Sequence, residues 1–343
     1  MKQLWLHSMR TFLRVALFFY YKKIKIVNPE NVPKTGAVLF LGNHHNALMD
    51  PLLIATKCGR FSYFLTRASV FKNKIIAKAL KSLLMLPVYR IRDGWSSISK
   101  NKFIFETSAT LLGHEKALTL FPEASHNLKR TVRPLSKGFT RIVHKAIEQN
   151  PELNLNLVPI GFNYKNAEKF GDSVSIYFGE PLTITIKDTI NKTKSKVDLR
   201  YKIYKRLCKL TTHIDPENYD TTIQKLENLN VDFLNPEAVN NCIKNNFKEC
   251  ERASKLELSI LKKFFKFCLI LLLIIPYLIW KLGVQPKIKE AEFTATFRFA
   301  IAITIVPIYL LAVSCLLFVF ASFKLALFYF FSVLVLTLLS VKL

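Results

Sequence analysis

The chain has 343 residues, half of them hydrophobic, with 50 Lys and Arg against 24 Asp and Glu for a formal net charge of +26. That apolar content excludes a disordered chain, and only 10 glycines exclude a collagen-like one. Six scattered cysteines (Cys58, Cys208, Cys242, Cys250, Cys268 and Cys315), with no C-x-x-C pair, exclude a disulfide framework and a zinc module and point to a reducing compartment.

Residues 1–23 predict an amphipathic helix lying in a membrane interface. Trp5, Met9, Phe12, Ala16 and Phe19 recur at helical spacing, and His7, Arg10 and Arg14 share another face. A signal peptide fits less well, because the apolar run ends in Tyr20–Tyr21–Lys22–Lys23 rather than a small-residue cleavage site. From Ala37 to about Leu182, strand and helix patterns alternate. Ala37–Leu41, Phe61–Thr66, Leu86–Ile91, Ala117–Phe121, Leu155–Phe162 and Val174–Phe178 read as strands; Pro51–Thr56, Lys72–Leu84, Ser97–Leu112 and Lys137–Gln149 read as helices. Such alternation predicts an α/β domain with a largely parallel sheet flanked by helices. Residues 183–262 are polar and rich in Lys and Asn, with helical stretches such as Leu199–Thr211 and no recognisable motif.

The C-terminus is of another kind. Phe299–Phe323 holds 25 residues without a charge, and after Lys324 a further 17 follow from Leu325 to Val341, a pattern for a membrane-spanning hairpin. Before it, Phe267–Trp280 offers only 14 uncharged residues, with Pro276 inside and lysines on both flanks, which predicts a re-entrant segment. The expected organisation is therefore an interfacial helix over 1–29, a catalytic or binding domain over 30–190, a polar helical linker over 191–262 and a membrane region over 263–343. Residues 1–150 carry 25 basic and 7 acidic side chains, a net +18. Such a surface suits nucleic acid, an anionic membrane or phosphorylated substrates, and the apolar C-terminus favours the membrane.

Four clusters have residue types suited to chemistry. Asn43–His44–His45–Asn46 runs on to Asp50–Pro51 in a strand-to-helix loop, where Asp50 either caps its helix or orients His45 as a general base. On this reading the adjacent His44 ring points elsewhere. A metal site of His44, His45, Asp50 and His126 lacks any recognised ligand spacing. Arg90 and Arg92 share one face of a strand before an Asp–Gly turn, a fork suited to phosphate. Glu123, Ser125 and His126 follow Phe121–Pro122 where a strand stops. Val158–Pro159–Ile160–Gly161 is an apolar strand whose proline suits an edge or a cleft wall.

In this order the four clusters resemble the blocks of the glycerol-phosphate and lysophosphatidate (1-acylglycerol-3-phosphate) acyltransferase superfamily: the N-H-x4-D box, an arginine block, the F-P-E-G box and a V-P block. The resemblance covers roughly residues 30–182. It implies the glycerolipid acyltransferase fold, and an enzyme of phospholipid biosynthesis that moves a fatty acyl group to glycerol 3-phosphate or 1-acylglycerol 3-phosphate. It implies His45 and Asp50 as catalytic residues, and Arg90, Arg92, Glu123, Ser125 and Lys137 around the acceptor phosphate. No cofactor or metal is expected, since acyl-CoA or acyl-carrier protein enters as co-substrate, and the other partners are the acceptor and the bilayer of the cytoplasmic membrane, with the domain on its cytoplasmic side. Where the family usually has glycine this chain has Ala124, followed by Ser125–His126, an order closer to glycerol-phosphate or dihydroxyacetone-phosphate acyltransferases; a methyl group there is strained if the backbone needs positive φ. The competing reading is a non-catalytic, membrane-tethered basic module for anionic lipid or nucleic acid. It explains the charge but not the ordered blocks, and nucleic acid is not an expected partner because the phenylalanines lie in apolar runs.

Overall fold

A computed structural model describes residues 1–89, 100–253 and 259–343. Its centre is strand β2 (Ala37–Gly42), buried along its whole length. Val38 and Phe40 face one core; Ala37, Leu39 and Leu41 face another on the opposite side of the sheet. Successive side chains of a strand point to opposite faces, so a continuous apolar run is what a doubly covered strand requires.

Around β2 lie β1 (Lys23–Val27), β3 (Ser62–Arg67), β4 (Met85–Val88), β5 (Ala117–Leu120), β6 (Leu155–Tyr164), β7 (Ser173–Phe178) and β8 (Leu182–Ile184), in the order β1-β7-β6-β2-β5-β3-β4 with β8 also on β6. β6, β2, β5, β3 and β4 pair in parallel; β6 meets β7 and β8 antiparallel. The largely parallel α/β sheet is as expected. Two short strands, β1 and β8, escape the sequence pattern. β1 reads Lys-Ile-Lys-Ile-Val on a partly exposed edge, and its pairing with Ser173–Tyr177 is decided by tertiary contact.

Pro159 corrects another expectation, because β6 is an interior strand. On one flank β6 pairs with β8 through Leu155–Leu157 and with β7 through Ile160–Tyr164, so the proline falls where one partner gives way to the next. Its carbonyl accepts from Gly179 N–H (2.8 Å) on that flank, and the missing N–H costs no ladder bond. Gly161 is required by packing: a Cβ would lie 2.2 Å from the Leu210 carbonyl oxygen.

One face of the sheet is covered by α1 (Lys2–Tyr20), α2 (Met49–Lys57) and the root of a C-terminal helix; the other is covered by α4 (Lys100–Gly113), α5 (Gly138–Gln149) and α6 (Lys192–Leu210). The crossover helix α3 (Lys74–Ser82) buries none of its residues. The stretch read as a linker is folded. Leu199, Ile203 and Leu207 of α6 join the second core, and α7 (Tyr219–Asn228) with α8 (Pro236–Lys244) encloses a third around Leu226, Phe233 and Val239. There Cys242 and Cys250 form a disulfide, contrary to the uniformly reduced chain expected; the turn after α8 brings their Cα atoms to 4.8 Å.

In the C-terminal region, α9 (Ser259–Leu272) and α10 (Ile274–Leu278) belong to a helical pair, Ile260–Leu272 and Ile274–Lys287, bent by 101°. Pro276 lacks an N–H, and in an unbroken helix its ring would crowd the Leu272 carbonyl four residues back, which accounts for the break. α11 (Thr294–Phe320) and α12 (Phe323–Lys342) are long and apolar enough to cross a membrane. Both free ends of this hairpin reach the α/β domain: Phe299 is fully buried in the first core, and Lys342 Nζ donates to the Tyr21 carbonyl (2.7 Å).

Candidate active site

Parallel pairing brings the carboxyl ends of β2, β5 and β6 to one rim, so the loops after Gly42 and Leu120 meet there beside Tyr164. Asn43 closes the first loop onto β6, donating to the Phe162 carbonyl (3.1 Å) and accepting its N–H (2.7 Å). α2 begins at Met49 with Leu48 in the cap position, so Asp50 lies in the first turn and is not the cap. Its carboxylate is fully buried and reaches back to accept from the Asn46 backbone N–H (2.8 Å).

That reach decides which histidine it meets. Asp50 Oδ2 lies 2.8 Å from His44 Nδ1. The pairing of Asp50 with His45 is therefore corrected. The ring of His45 turns inward toward Tyr164, with 6.4 Å between ring centroids, and only 7% of the residue is exposed. Burial pushes His45 down to about 4; the Asp50 carboxylate opposes the shift and Arg130 and His44 add to it. An imidazole of that acidity is a poor proton acceptor at neutral pH. His44 instead stacks on Phe121 (4.0 Å between centroids) and stands edge-on to His126 (5.7 Å). The second carboxylate oxygen of Asp50 accepts from the Tyr164 hydroxyl (2.5 Å).

The third cluster is tied to the first, since Asn127 N–H donates to the His44 carbonyl (3.0 Å). Glu123 and Ser125 converge on Arg133, a residue the sequence reading passes over. Arg133 Nε donates to Glu123 Oε2 and its Nη1 to Ser125 Oγ, each at 2.7 Å. Burial raises the Glu123 carboxyl, while Arg133 and the His44 backbone pull it back. Lys137 stands exposed at the start of α5, and Ser136 N–H holds that start to the Pro122 carbonyl (2.8 Å). Ala124 has φ +62°, so the position does call for a left-handed backbone. Arg90 and Arg92 lie outside the described residues.

Behind these groups sits a buried charge cluster. Asp172 is pushed up to about 7 by burial, and Arg130, stacked 3.7 Å over Phe233, is pushed down to about 10 for the same reason. Among the described residues, His126, Glu290 and Glu292 bring ligand-type atoms within 4.8 Å of one another, although Glu290 is solvent-exposed. At the centre a carboxylate holds one imidazole nitrogen of His44 and leaves the other for a proton.

Comparison with known proteins bears on this arrangement. Residues 23–163, which hold both members of the His44–Asp50 pair and the Glu123 cluster, match the family described as Acyltransferase. In this stretch the chain is similar to members of that family. Over 139 residues it is 31% identical to a probable 1-acyl-sn-glycerol-3-phosphate acyltransferase of Mycoplasma pneumoniae, covering 38% of this chain and 49% of that protein. Over 73 residues it is 29% identical to glycerol-3-phosphate O-acyltransferase 1 of Saccharomyces cerevisiae, covering 21% and 10%. The chain thus spans half or less of the length of these curated relatives. The crystal structure of a 1-acyl-sn-glycerophosphate acyltransferase from Thermotoga maritima is similar over 62% of this chain and 83% of its own, with a TM-score of 0.46 and 15% identity.

The matched stretch does not build its rim alone. The backbone N–H of Leu48, at the head of α2, donates to Thr296 Oγ1 (3.1 Å) in the first turn of α11. Phe293 stands edge-on to His126 with 4.7 Å between centroids, and Arg298 Nη1 donates to the Glu168 carbonyl (2.7 Å). The root of the apolar hairpin, more than a hundred residues beyond the matched stretch, is a wall of the site.

Proposed function

We propose that the chain is a membrane-bound O-acyltransferase that moves a fatty acyl group from acyl-CoA or acyl-carrier protein to the hydroxyl of glycerol 3-phosphate or its monoacyl form. The observation that carries this reading is the 2.8 Å pairing of Asp50 with His44 at the rim of the stretch that matches the acyltransferase family. Asp50, held by Tyr164 and the Asn46 N–H, keeps the His44 proton on Nδ1 and stabilises the imidazolium. Nε2 then takes the acceptor hydroxyl proton as its oxygen attacks the thioester carbonyl carbon. The carbon–sulfur bond breaks, and the leaving thiolate receives the proton from His44. No covalent enzyme intermediate is required.

Glu123 and Ser125, clamped by Arg133, support an acceptor site at the same rim, and Arg90, Arg92 and Lys137 are assigned to its phosphate by resemblance. An apolar crevice lined by Leu6, Met9, Leu13, Leu52 and Ala55, and by Pro51, the residue after Asp50, suits a hydrocarbon chain. The deciding assay supplies purified protein with acyl thioester and a panel of acceptors, and reads the products by mass spectrometry. Acylated glycerol phosphate or diacylated product fixes the acceptor; thioester left intact with every acceptor overturns the reading.

The membrane path we infer is a re-entrant segment at the 101° bend followed by a spanning hairpin, with the domain on the cytoplasmic side. A cysteine placed at Gln285 is then labelled from the cytoplasmic face of sealed vesicles. Labelling only from the opposite face sinks that path.

A further inference from the structure

Two helices on one side of the molecule present large apolar side chains outward. In α1, Leu13, Ala16, Leu17 and Tyr20 pack into the first core. Arg14 Nε donates to the Thr56 carbonyl (2.9 Å) in the last turn of α2, and Arg10 lies 3.8 Å over the Phe61 ring, against which His7 stands edge-on. Leu4, Phe12, Val15 and Phe18 are left outside. In α3 no side chain is buried at all. A helical period places Lys74, Lys78 and Lys81 together on one side and Ile75, Ile76 and Ala79 on the other. Ile75 is 81% exposed and Ile76 50%. Trp5 Nε1 donates to Ser82 Oγ (3.2 Å), joining the two helices, and Lys342 Nζ sits 4.1 Å over the Phe18 ring, joining α1 to the foot of the hairpin. The bare apolar surfaces of α3, α1 and the hairpin are thus contiguous.

We propose that α3 is a second membrane-docking element, which settles on an anionic lipid surface with Ile75 and Ile76 among the acyl chains and Lys74, Lys78 and Lys81 at the headgroup phosphates. A short helix with lysines along one side and large aliphatic residues along the other lies in the interfacial plane, and its lysines give preference for anionic lipid. Charge complementarity and continuity with the hairpin favour lipid over an acidic protein partner, which would leave Ile75 and Ile76 unmatched. α3 is the crossover between β3 and β4, so docking sets that edge of the sheet against the leaflet. The proposal rests on the reading that the hairpin enters the bilayer, and its test separates the two.

The full-length chain, with its four free cysteines replaced and activity retained, is reconstituted in vesicles of phosphatidylglycerol and phosphatidylcholine. A polarity-sensitive fluorophore is placed in turn at Ile75, at Phe328 on the hairpin and at exposed Tyr201 on α6, and is quenched with spin-labelled lipid. The expected result is deep quenching at Phe328, shallow quenching at Ile75 and none at Tyr201. Replacing Lys74, Lys78 and Lys81 by glutamine, or the phosphatidylglycerol by phosphatidylcholine, should reduce the Ile75 signal several-fold, each lysine near an anionic surface being worth about fivefold. Quenching at Phe328 with none at Ile75 overturns the proposal and leaves the hairpin reading standing; none at Phe328 overturns the hairpin reading. A blue shift at Ile75 that grows with protein concentration, without lipid quenching, assigns the face to a second copy and also overturns the proposal.

Discussion

Two regions of this molecule invert the usual distribution of side chains, in opposite senses. At the carboxyl rim of the sheet, Asp50, His45 and Asp172 are drawn into the interior, and Asp50 and Asp172 each accept a backbone N–H. Along α1, α3 and the C-terminal hairpin, Leu4, Phe18, Ile75, Phe320 and Phe328 stand bare. Burying an unpaired charge costs several kcal/mol, and leaving a large aliphatic or aromatic side chain in water forgoes about 1.5–3 kcal/mol. Neither inversion serves stability in water. The first makes sense when a base must be oriented, and the second when the outer medium is lipid. They meet at the root of α11, where Thr296 and Phe293 bring the hairpin to the histidine loop.

The hardest way to break the polar region is at its base. His44→Ala should lower turnover by roughly 10²–10⁴-fold with the fold retained, the usual worth of a general base. His45→Ala should chiefly lower the melting temperature, because that ring is packed inside and not presented at the rim. An inactive, stable His45 variant beside an active His44 variant would reverse the assignment.

A titration sharpens the same comparison. The folded His45 titrates near 4 and the unfolded near its ordinary 6.5. Its neutral form therefore contributes stability that is present above about pH 6.5 and is lost as pH falls toward 4, up to about 3 kcal/mol for a shift of this size. Asp172 works the other way. With a folded value near 7, its protonated form contributes stability that is complete below about pH 3.8 and lost as pH rises to 7. The two slopes oppose each other between pH 4 and 6.5. Asp172→Asn should leave the His45 slope alone and make melting temperature rise more steeply with pH over that window; an unchanged slope refutes the burial of these groups.

Where the two regions touch, effects should be smaller. Thr296→Val removes the acceptor for the Leu48 N–H and should cost about 2–10-fold in kcat, the worth of one neutral hydrogen bond. Thr296→Ser should recover most of it, whereas a purely structural contact would show in melting temperature and not in kcat. The smallest expected change is a gain. Ala124→Gly relieves a left-handed φ of +62° and should raise stability by about 1 kcal/mol in a melting experiment.

The meeting of the first and third clusters was readable because each follows a strand, and parallel strands send such loops to one rim. The choice between His44 and His45 was not readable, because both precede Asp50 and spacing alone cannot say which ring a returning carboxylate meets. Tyr164, two strand residues beyond Ile160–Phe162, and Arg133, ten residues after Glu123, carry no local signal, since their partners lie across space. Thr296 is further still from any motif it serves.

What the sequence by itself determined is therefore periodic and local. Continuous apolar runs made β2 a doubly buried strand and α11 and α12 candidate spans, because length and alternation are properties of the backbone. Only the tertiary structure decided which histidine meets Asp50, that Arg14 of α1 reaches the Thr56 carbonyl, that residues 191–253 pack as a folded unit, and that the hairpin root closes the site. Each of these depends on one side chain reaching a partner supplied by a distant segment, and no pattern within a single segment encodes the position of the other.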